Sequence, residues 1–214
     1  MNYDEEYIKR YKDVSGCLLV TLILFGIPFV TNTLPFTNRL ISNGVFYSIF
    51  FIEFAITVPL YLLFFIKRHG FGKGNVQPVD FFLFIMVIVC IQFLLLPLMG
   101  VNDEKPAGIF DFSAYTPNVI GMLLSTVFLA PIYEEMVFRG CFFKLTQYWF
   151  NNNIAAIILS SGAFVLFHSQ YDDYRILIAL FLVSIVFGIA RQKSNGVALP
   201  MLLHISMNLL VIYF

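Results

Sequence analysis

Long uncharged stretches divide the chain into blocks of membrane-spanning length. Six contain no Asp, Glu, Lys or Arg, and the remaining one is interrupted only by Glu53. A membrane-spanning helix needs about 20 mainly apolar residues. In chain order the stretches are Val14–Asn38, Ser42–Ile66, Phe81–Asn102, Phe112–Tyr133, Leu145–Tyr171, Ile176–Ala190 and Ser194–Phe214. The pattern predicts an all-α fold, a polytopic membrane helix bundle of about seven transmembrane helices.

The bundle divides in sequence after the third helix. Residues 1–116 hold three predicted helices and residues 117–214 hold four, and we expect both parts to pack as one membrane domain. The triplet Asn151-Asn152-Asn153 is typical of a turn, so the fifth helix is predicted to begin there.

Composition agrees with a membrane protein. Hydrophobic residues make up 59% of the chain and charged residues 12%, and the mean hydropathy is +0.84. A soluble domain of this size has too little interior to bury that much apolar surface, so membrane lipid is the expected surrounding. The net charge of zero gives no indication of a nucleic-acid partner. The three cysteines are widely separated, which argues against a disulfide framework or a cysteine-based zinc site.

Basic residues fall mainly on one side of the predicted bundle. If the seven helices alternate, nine lie on the side of the N-terminus and three on the other, and the positive-inside rule then predicts a cytoplasmic N-terminus. The nine are Lys9, Arg10, Lys12, Lys67, Arg68, Lys73, Lys144, Arg191 and Lys193; the three are Arg39, Lys105 and Arg175.

Ionisable residues inside predicted spans are costly in lipid and therefore suggest function. Glu135 and Arg139 are four residues apart, which places them on one helix face where their charges can pair. Glu134 is turned by about 100° from Glu135 and is left unpaired. A carboxylate in a poorly solvated site binds a proton more readily, as a general base requires. The alternative is a charge cluster at the membrane interface.

Phe164 and His168 are also four residues apart. Glu134 lies 17 residues before Asn151 and His168 lies 17 residues after it. Antiparallel helices joined by a short turn place such positions at the same depth. We therefore expect Glu134 and His168 to meet, although an isolated histidine is more often a packing residue.

His204 and Asn208 share a face of the last helix, and both side chains can donate hydrogen bonds to an oxyanion. The alternative is interhelical hydrogen bonding, worth about 0.6 kcal/mol per contact. For Glu53 we expect a structural role; substrate contact, a water-filled cavity and a buried cation partner are the alternatives.

These residues together resemble the three motifs of the CAAX-protease and bacteriocin-processing family (CPBP, also called Abi), which is related to the Ras-converting CAAX endoproteases. The resemblance extends over about Pro117 to Phe214. The motifs, in the family's order, are Glu134-Glu135-x-x-x-Arg139, Phe164-x-x-x-His168 and His204-x-x-x-Asn208.

The resemblance implies an intramembrane endopeptidase acting on a peptide or membrane-protein substrate, in peptide maturation or bacteriocin self-immunity at a bacterial plasma membrane. Glu134 and His168 would activate water, and His204 and Asn208 would stabilise the oxyanion. Glu135, Arg139 and Phe164 would support the site.

No cofactor is expected. A zinc protease using Glu134, His168 and His204 is the alternative, although the H-E-x-x-H signature is absent and Asn208 is a poor zinc ligand. A non-catalytic membrane protein that binds a peptide is a second alternative.

Overall fold

The computed structural model describes residues 3–33, 43, 47–101, 117–168 and 171–213, and within these ranges the regular structure is helical throughout. The all-α prediction is therefore confirmed. The helices are α1 (Tyr3–Thr33), α2 (Ser48–Phe65), α3 (Pro78–Leu98), α4 (Pro117–Phe150), α5 (Asn153–Phe167), α6 (Tyr174–Ser194) and α7 (Ala198–Tyr213).

Five of these helices are long and apolar enough to cross a membrane, namely α1, α2, α3, α4 and α6. Helices α5 and α7 are apolar but shorter than 18 residues. A bundle of five candidate spans and two shorter apolar helices is the architecture of a polytopic membrane protein.

The largest difference from the sequence prediction is the length of α4. The fourth span was expected to end at Tyr133, but the helix continues to Phe150 and contains 34 residues. The charges of Glu135 and Arg139 do not end the helix, because their side chains are buried and paired with each other inside the protein. Lys144 accordingly lies within α4 and not in a loop.

Asparagines form the turns between the C-terminal helices. Asn151 ends α4 in the left-handed conformation with φ 48°, and the side chain of Asn152 accepts hydrogen bonds from the first amides of α5. Asn195 ends α6 in the same conformation, with φ 51°. Asparagine tolerates this conformation better than most residues. The predicted turn at Asn151–Asn153 is therefore confirmed.

Ion pairs at the helix ends agree with alternating directions. Arg68, after α2, pairs with Asp13 of α1, and Lys193, at the end of α6, pairs with Asp80 at the start of α3 (2.7 Å). At the opposite end, Arg175 of α6 donates to a backbone carbonyl that follows α3. Which of these ends is cytoplasmic stays a prediction.

Contacts join the N-terminal helices to the C-terminal ones. Helices α1 and α2 pack on α4, and α3 packs on α6 and α7. The loop before α3 also meets the turn before α7, where the amide of Val197 donates to the carbonyl of Gly72 at 2.9 Å. Close backbone approach between Gly74 and Gly196 leaves no room for a side chain at either position. The described helices before and after residue 116 thus contact one another, and the division of the chain at residue 116, which lies outside the described residues, stays a prediction.

Helix α4 contains two wider π-helical turns, Ser125–Leu129 and Met136–Phe142. Where hydrogen bonding returns from the π to the α pattern, one backbone carbonyl loses its donor. In the second turn Arg191 of α6 supplies a donor, because its Nε lies 2.8 Å from the carbonyl oxygen of Arg139. Such turns are common at functional sites, and the motif residues of α4 lie in and beside them.

Candidate active site

The centre of the motif cluster is a fully buried ion pair. Glu135 and Arg139 are both inaccessible to solvent, and Arg139 Nη1 lies 3.1 Å from Glu135 Oε1. The other terminal nitrogen of Arg139 donates to the carbonyl and hydroxyl oxygens of Ser184 on α6, at 3.0 and 2.6 Å. The pairing expected from the spacing of four residues is therefore present, and it ties α4 to α6.

His204 of α7 contacts the same carboxylate. Its Nδ1 lies 2.9 Å from Glu135 Oε1, and its ring stacks on Phe187 at 5.0 Å. An ionised carboxylate can only accept hydrogen bonds, so Nδ1 carries a proton and Nε2 is the ring atom left for other contacts. Glu135 thus holds both Arg139 and His204, and the sequence analysis had foreseen only the first.

Glu134 and His168 face each other without a direct hydrogen bond. Glu134 Oε2 lies 3.9 Å from His168 Nε2 and has no hydrogen-bond partner within the described ranges, although Glu134 is only 5% exposed. His168 Nδ1 lies 2.9 Å from the carbonyl oxygen of Phe164, to which it donates. In the neutral ring Nε2 is then an acceptor. The two residues meet across the α4–α5 hairpin, as their equal spacing from the turn predicts.

Asn208 contacts the backbone of α4. Its Nδ2 donates to the carbonyl oxygen of Thr126 at 2.9 Å. Thr126 lies in the first π turn, and the residue five positions later is Pro131, which has no N–H to donate. Asn208 therefore supplies a hydrogen bond that the helix cannot make itself, which sequence reasoning did not anticipate.

Phe164 lies between Arg139 and the two histidines of the site. Its ring is 4.3 Å from that of His168, 5.7 Å from that of His204, and 4.7 Å from the guanidinium carbon of Arg139. The ring is 1% exposed. This position agrees with the supporting role that the resemblance implies.

Glu53 lies in α2 with a partner that the sequence analysis missed. The hydroxyl of Tyr133 donates to Glu53 Oε2 at 2.5 Å, and both side chains are buried. Glu53 is thus held by a phenol and not by the buried cation considered as an alternative. Thr57 lies one turn from Glu53 and is also buried. The spacing of these two polar residues is the feature of the sequence that indicates a polar face on α2.

The described residues contain no group of three or more His, Cys, Asp or Glu side chains arranged to hold a metal ion. The alternative zinc ligands Glu134, His168 and His204 lie in one region, and His204 directs Nδ1 to Glu135. The absence of a metal requirement stays a prediction.

Comparison with known families bears on the four C-terminal helices. Residues 116–210 match the family described as Type II CAAX prenyl endopeptidase Rce1-like. This match confirms the CAAX-protease resemblance. The Rce1-like segment includes α4, α5, α6 and most of α7, with all three motifs. At the level of the family it supports a membrane-embedded endopeptidase.

Two bacterial proteins are similar to the chain. An "Uncharacterized 24.3 kDa protein" of Escherichia coli is 39% identical over 100 residues, which is 46% of this chain and 46% of that protein. The UPF0177 protein YajF of Lactococcus lactis subsp. lactis is 25% identical over 152 residues, which is 66% of this chain and 69% of that protein. The chain thus spans about half the length of the first relative. No solved structure gives a significant match.

Proposed function

We propose that the chain is an intramembrane endopeptidase in which Glu134 and His168 activate a water molecule. The observation that carries the proposal is the 3.9 Å separation between Glu134 Oε2 and His168 Nε2. At the oxygen of a water about 2.8 Å from both atoms, the angle between the two atoms would be about 90°, so one water molecule can donate a hydrogen bond to each. Both atoms are acceptors, so the water donates both hydrogens and turns its lone pairs outward.

The reaction follows from these hydrogen bonds. Glu134 takes a proton as the water oxygen attacks the scissile carbonyl carbon, while His168 holds the water in line. The protonated Glu134 then gives that proton to the leaving amine. No nucleophilic serine or cysteine and no metal or other cofactor is required.

The negative charge of the tetrahedral intermediate needs hydrogen-bond donors. Asn208 has a second Nδ2 hydrogen beyond the one it gives to Thr126, and this hydrogen is the first donor. His204 is the second and would donate through an Nε2 hydrogen, while its Nδ1 donates to Glu135. The oxyanion thus forms beside a histidine that a buried carboxylate holds in place.

The substrate is proposed to be a peptide or a membrane-protein segment, in peptide maturation or bacteriocin self-immunity. Two bacterial relatives support a bacterial plasma membrane as the location. The cytoplasmic N-terminus is supported by the distribution of basic loop residues. A zinc protease with the same residues remains the rival chemistry.

The test uses the full chain purified in detergent and a panel of internally quenched peptides, some of which carry a farnesylated C-terminal cysteine motif. We expect the wild type to cleave at least one peptide and Glu134→Gln to lower the rate by about 10² to 10⁴, because the amide keeps the shape and removes the base. Asp172→Asn is the matched control, since it also converts a carboxylate to an amide but does so at an exposed position.

A zinc chelator distinguishes the proposed mechanism from the zinc-protease alternative. Wild-type cleavage should survive a zinc chelator at concentrations that silence a known zinc protease. Full activity in Glu134→Gln would contradict the proposal. Stoichiometric zinc that is lost on mutating His168 or His204 would establish the metalloprotease instead.

A further inference from the structure

Glu134 lacks a direct hydrogen bond that fixes its direction. Its Oε2 has no partner in the described part of the chain, and His168 is 3.9 Å away. The direction of its side chain therefore depends on how α4 is rotated about its own axis. A carboxylate lies about 6 Å from the axis, so a rotation of about 10° displaces it by about 1 Å.

The rotation of α4 is weakly specified by the helix itself at this point. Glu134 lies between the π turn Ser125–Leu129 and the π turn Met136–Phe142. In such turns hydrogen bonding shifts by one residue, and a polar contact from a neighbouring helix can help to fix the direction of the helix. On one side of Glu134 this contact is the ion pair of Glu135; on the other it is Tyr133.

Tyr133 is fixed from outside α4. Its ring is fully buried, and its hydroxyl donates to Glu53 Oε2 of α2 at 2.5 Å, so the residue directly before Glu134 is tied to another helix. We infer that Glu53 and Tyr133 form a positioning pair, which sets the rotation of α4 so that Glu134 faces His168 across the space of one water. The inference rests on the function proposed above.

The pair extends the site beyond the family segment. Helix α2 lies outside residues 116–210, to which the Rce1-like match is confined. A residue of the N-terminal half is therefore part of what orients the reacting carboxylate. Helix α2 then contributes to catalysis as well as to the packing of the bundle.

The test compares kcat and KM on the best peptide of the panel for single and double variants. Tyr133→Phe removes only the hydroxyl, and Glu53→Leu removes only the acceptor; each should lower kcat about tenfold with KM changed less than about twofold. Glu53→Gln should restore kcat to within about twofold of the wild type, because its carbonyl oxygen still accepts the hydroxyl. The double variant Tyr133→Phe with Glu53→Leu should be no slower than either single change.

Tyr61→Phe is the matched control. Tyr61 is as deeply buried as Tyr133, and its hydroxyl donates to the carbonyl of Phe71 at 2.5 Å. This variant loses an equivalent hydrogen bond away from Glu134, so its kcat should stay at the wild-type value. An equal loss in Tyr61→Phe would show that kcat reports general stability, and would overturn the positioning role.

Amide hydrogen exchange gives a readout that does not need cleavage. Exchange of the backbone amides of Ala130 and of residues 132–135 should be faster in Tyr133→Phe and Glu53→Leu, and unchanged in Tyr61→Phe and Glu53→Gln. Unchanged exchange and unchanged kcat in Tyr133→Phe would overturn the inference. If the wild type cleaves none of the peptides, the proposed function fails, and the exchange pattern alone then decides whether the pair fixes α4.

Discussion

The buried ion pair of Glu135 and Arg139 yields the sharpest stability prediction. Replacing Arg139 with methionine keeps much of the side-chain volume and removes the charge, which leaves Glu135 buried without its guanidinium partner, although the contact with His204 remains. Arg139 also donates twice to Ser184, and those contacts are lost as well. We therefore expect Arg139→Met to destabilise the protein strongly, while leaving the water-binding atoms chemically intact.

The magnitude follows from the burial of both partners. Breaking a fully buried pair by removing one member costs about 3–5 kcal/mol, because the remaining charge is uncompensated. The loss of the Ser184 contacts argues for a value within that range and not below it. At about 4 kcal/mol the equilibrium between folded and unfolded protein changes about 1000-fold. Glu134→Gln, one residue from the pair, should cost less than about 1 kcal/mol, because Glu134 has no paired cation to strand.

Buried cysteines provide the assay. Cys17 and Cys141 are 1% and 0% exposed, whereas Cys90 is exposed, so a Cys90→Ser background reports unfolding through a thiol-reactive dye. Labelling would be followed as the mole fraction of dodecyl sulfate rises. Arg139→Met should unfold at a clearly lower fraction than the wild type, and Glu134→Gln should unfold close to it.

A second variant separates the stranded charge from the lost packing. Glu135→Gln combined with Arg139→Met removes both charges and should recover a substantial part of the stability lost in Arg139→Met. If the two substitutions are additive, or if Arg139→Met alone is as stable as the wild type, then the pair does not stabilise the fold in the way its geometry indicates.

Two further predictions concern acidity and topology. Cleavage should slow as the pH falls, because a protonated Glu134 cannot accept a proton from water; a rate that is constant over the acidic range would count against Glu134 as the base. Reporter fusions after Lys73 and after Phe214 should be found on opposite sides of the membrane, since five further helices separate these positions; reporters on the same side would contradict the seven-helix arrangement.

Much of the fold could be predicted from the sequence because the bilayer restricts the length of each span. The uncharged stretches located every helix, and the pairing of Glu135 with Arg139 followed from helical periodicity alone. The approach of His168 to Glu134 followed from equal distances to a turn. All three results depend on geometry within one helix or one pair of helices joined by a turn, which can be worked out from a single sequence.

The parts that were missed are contacts between distant helices. His204 and Glu135 are 69 residues apart, and Tyr133 and Glu53 are 80 residues apart. No periodicity within either helix encodes such a pairing. The length of α4 was underestimated for a related reason, because charges mark the end of a span only when they face water, and those of Glu135 and Arg139 do not.

The π turn at Met136–Phe142 makes α4 tolerant of the loss of one residue at this place. A π turn contains one residue more than the α-helix could accommodate over the same rise. Deleting a single residue between Met136 and Phe142 would let the helix close into regular α geometry without shortening it appreciably. Because the wide turn absorbs the extra residue, the segments before and after the deletion would keep nearly the same relative rotation. Glu134 would still face His168, whereas a deletion in the regular α-helix Phe143–Phe150 would turn the preceding segment by about 100° relative to the turn at Asn151. The loss of one residue thus has opposite consequences for the site on the two sides of Phe142.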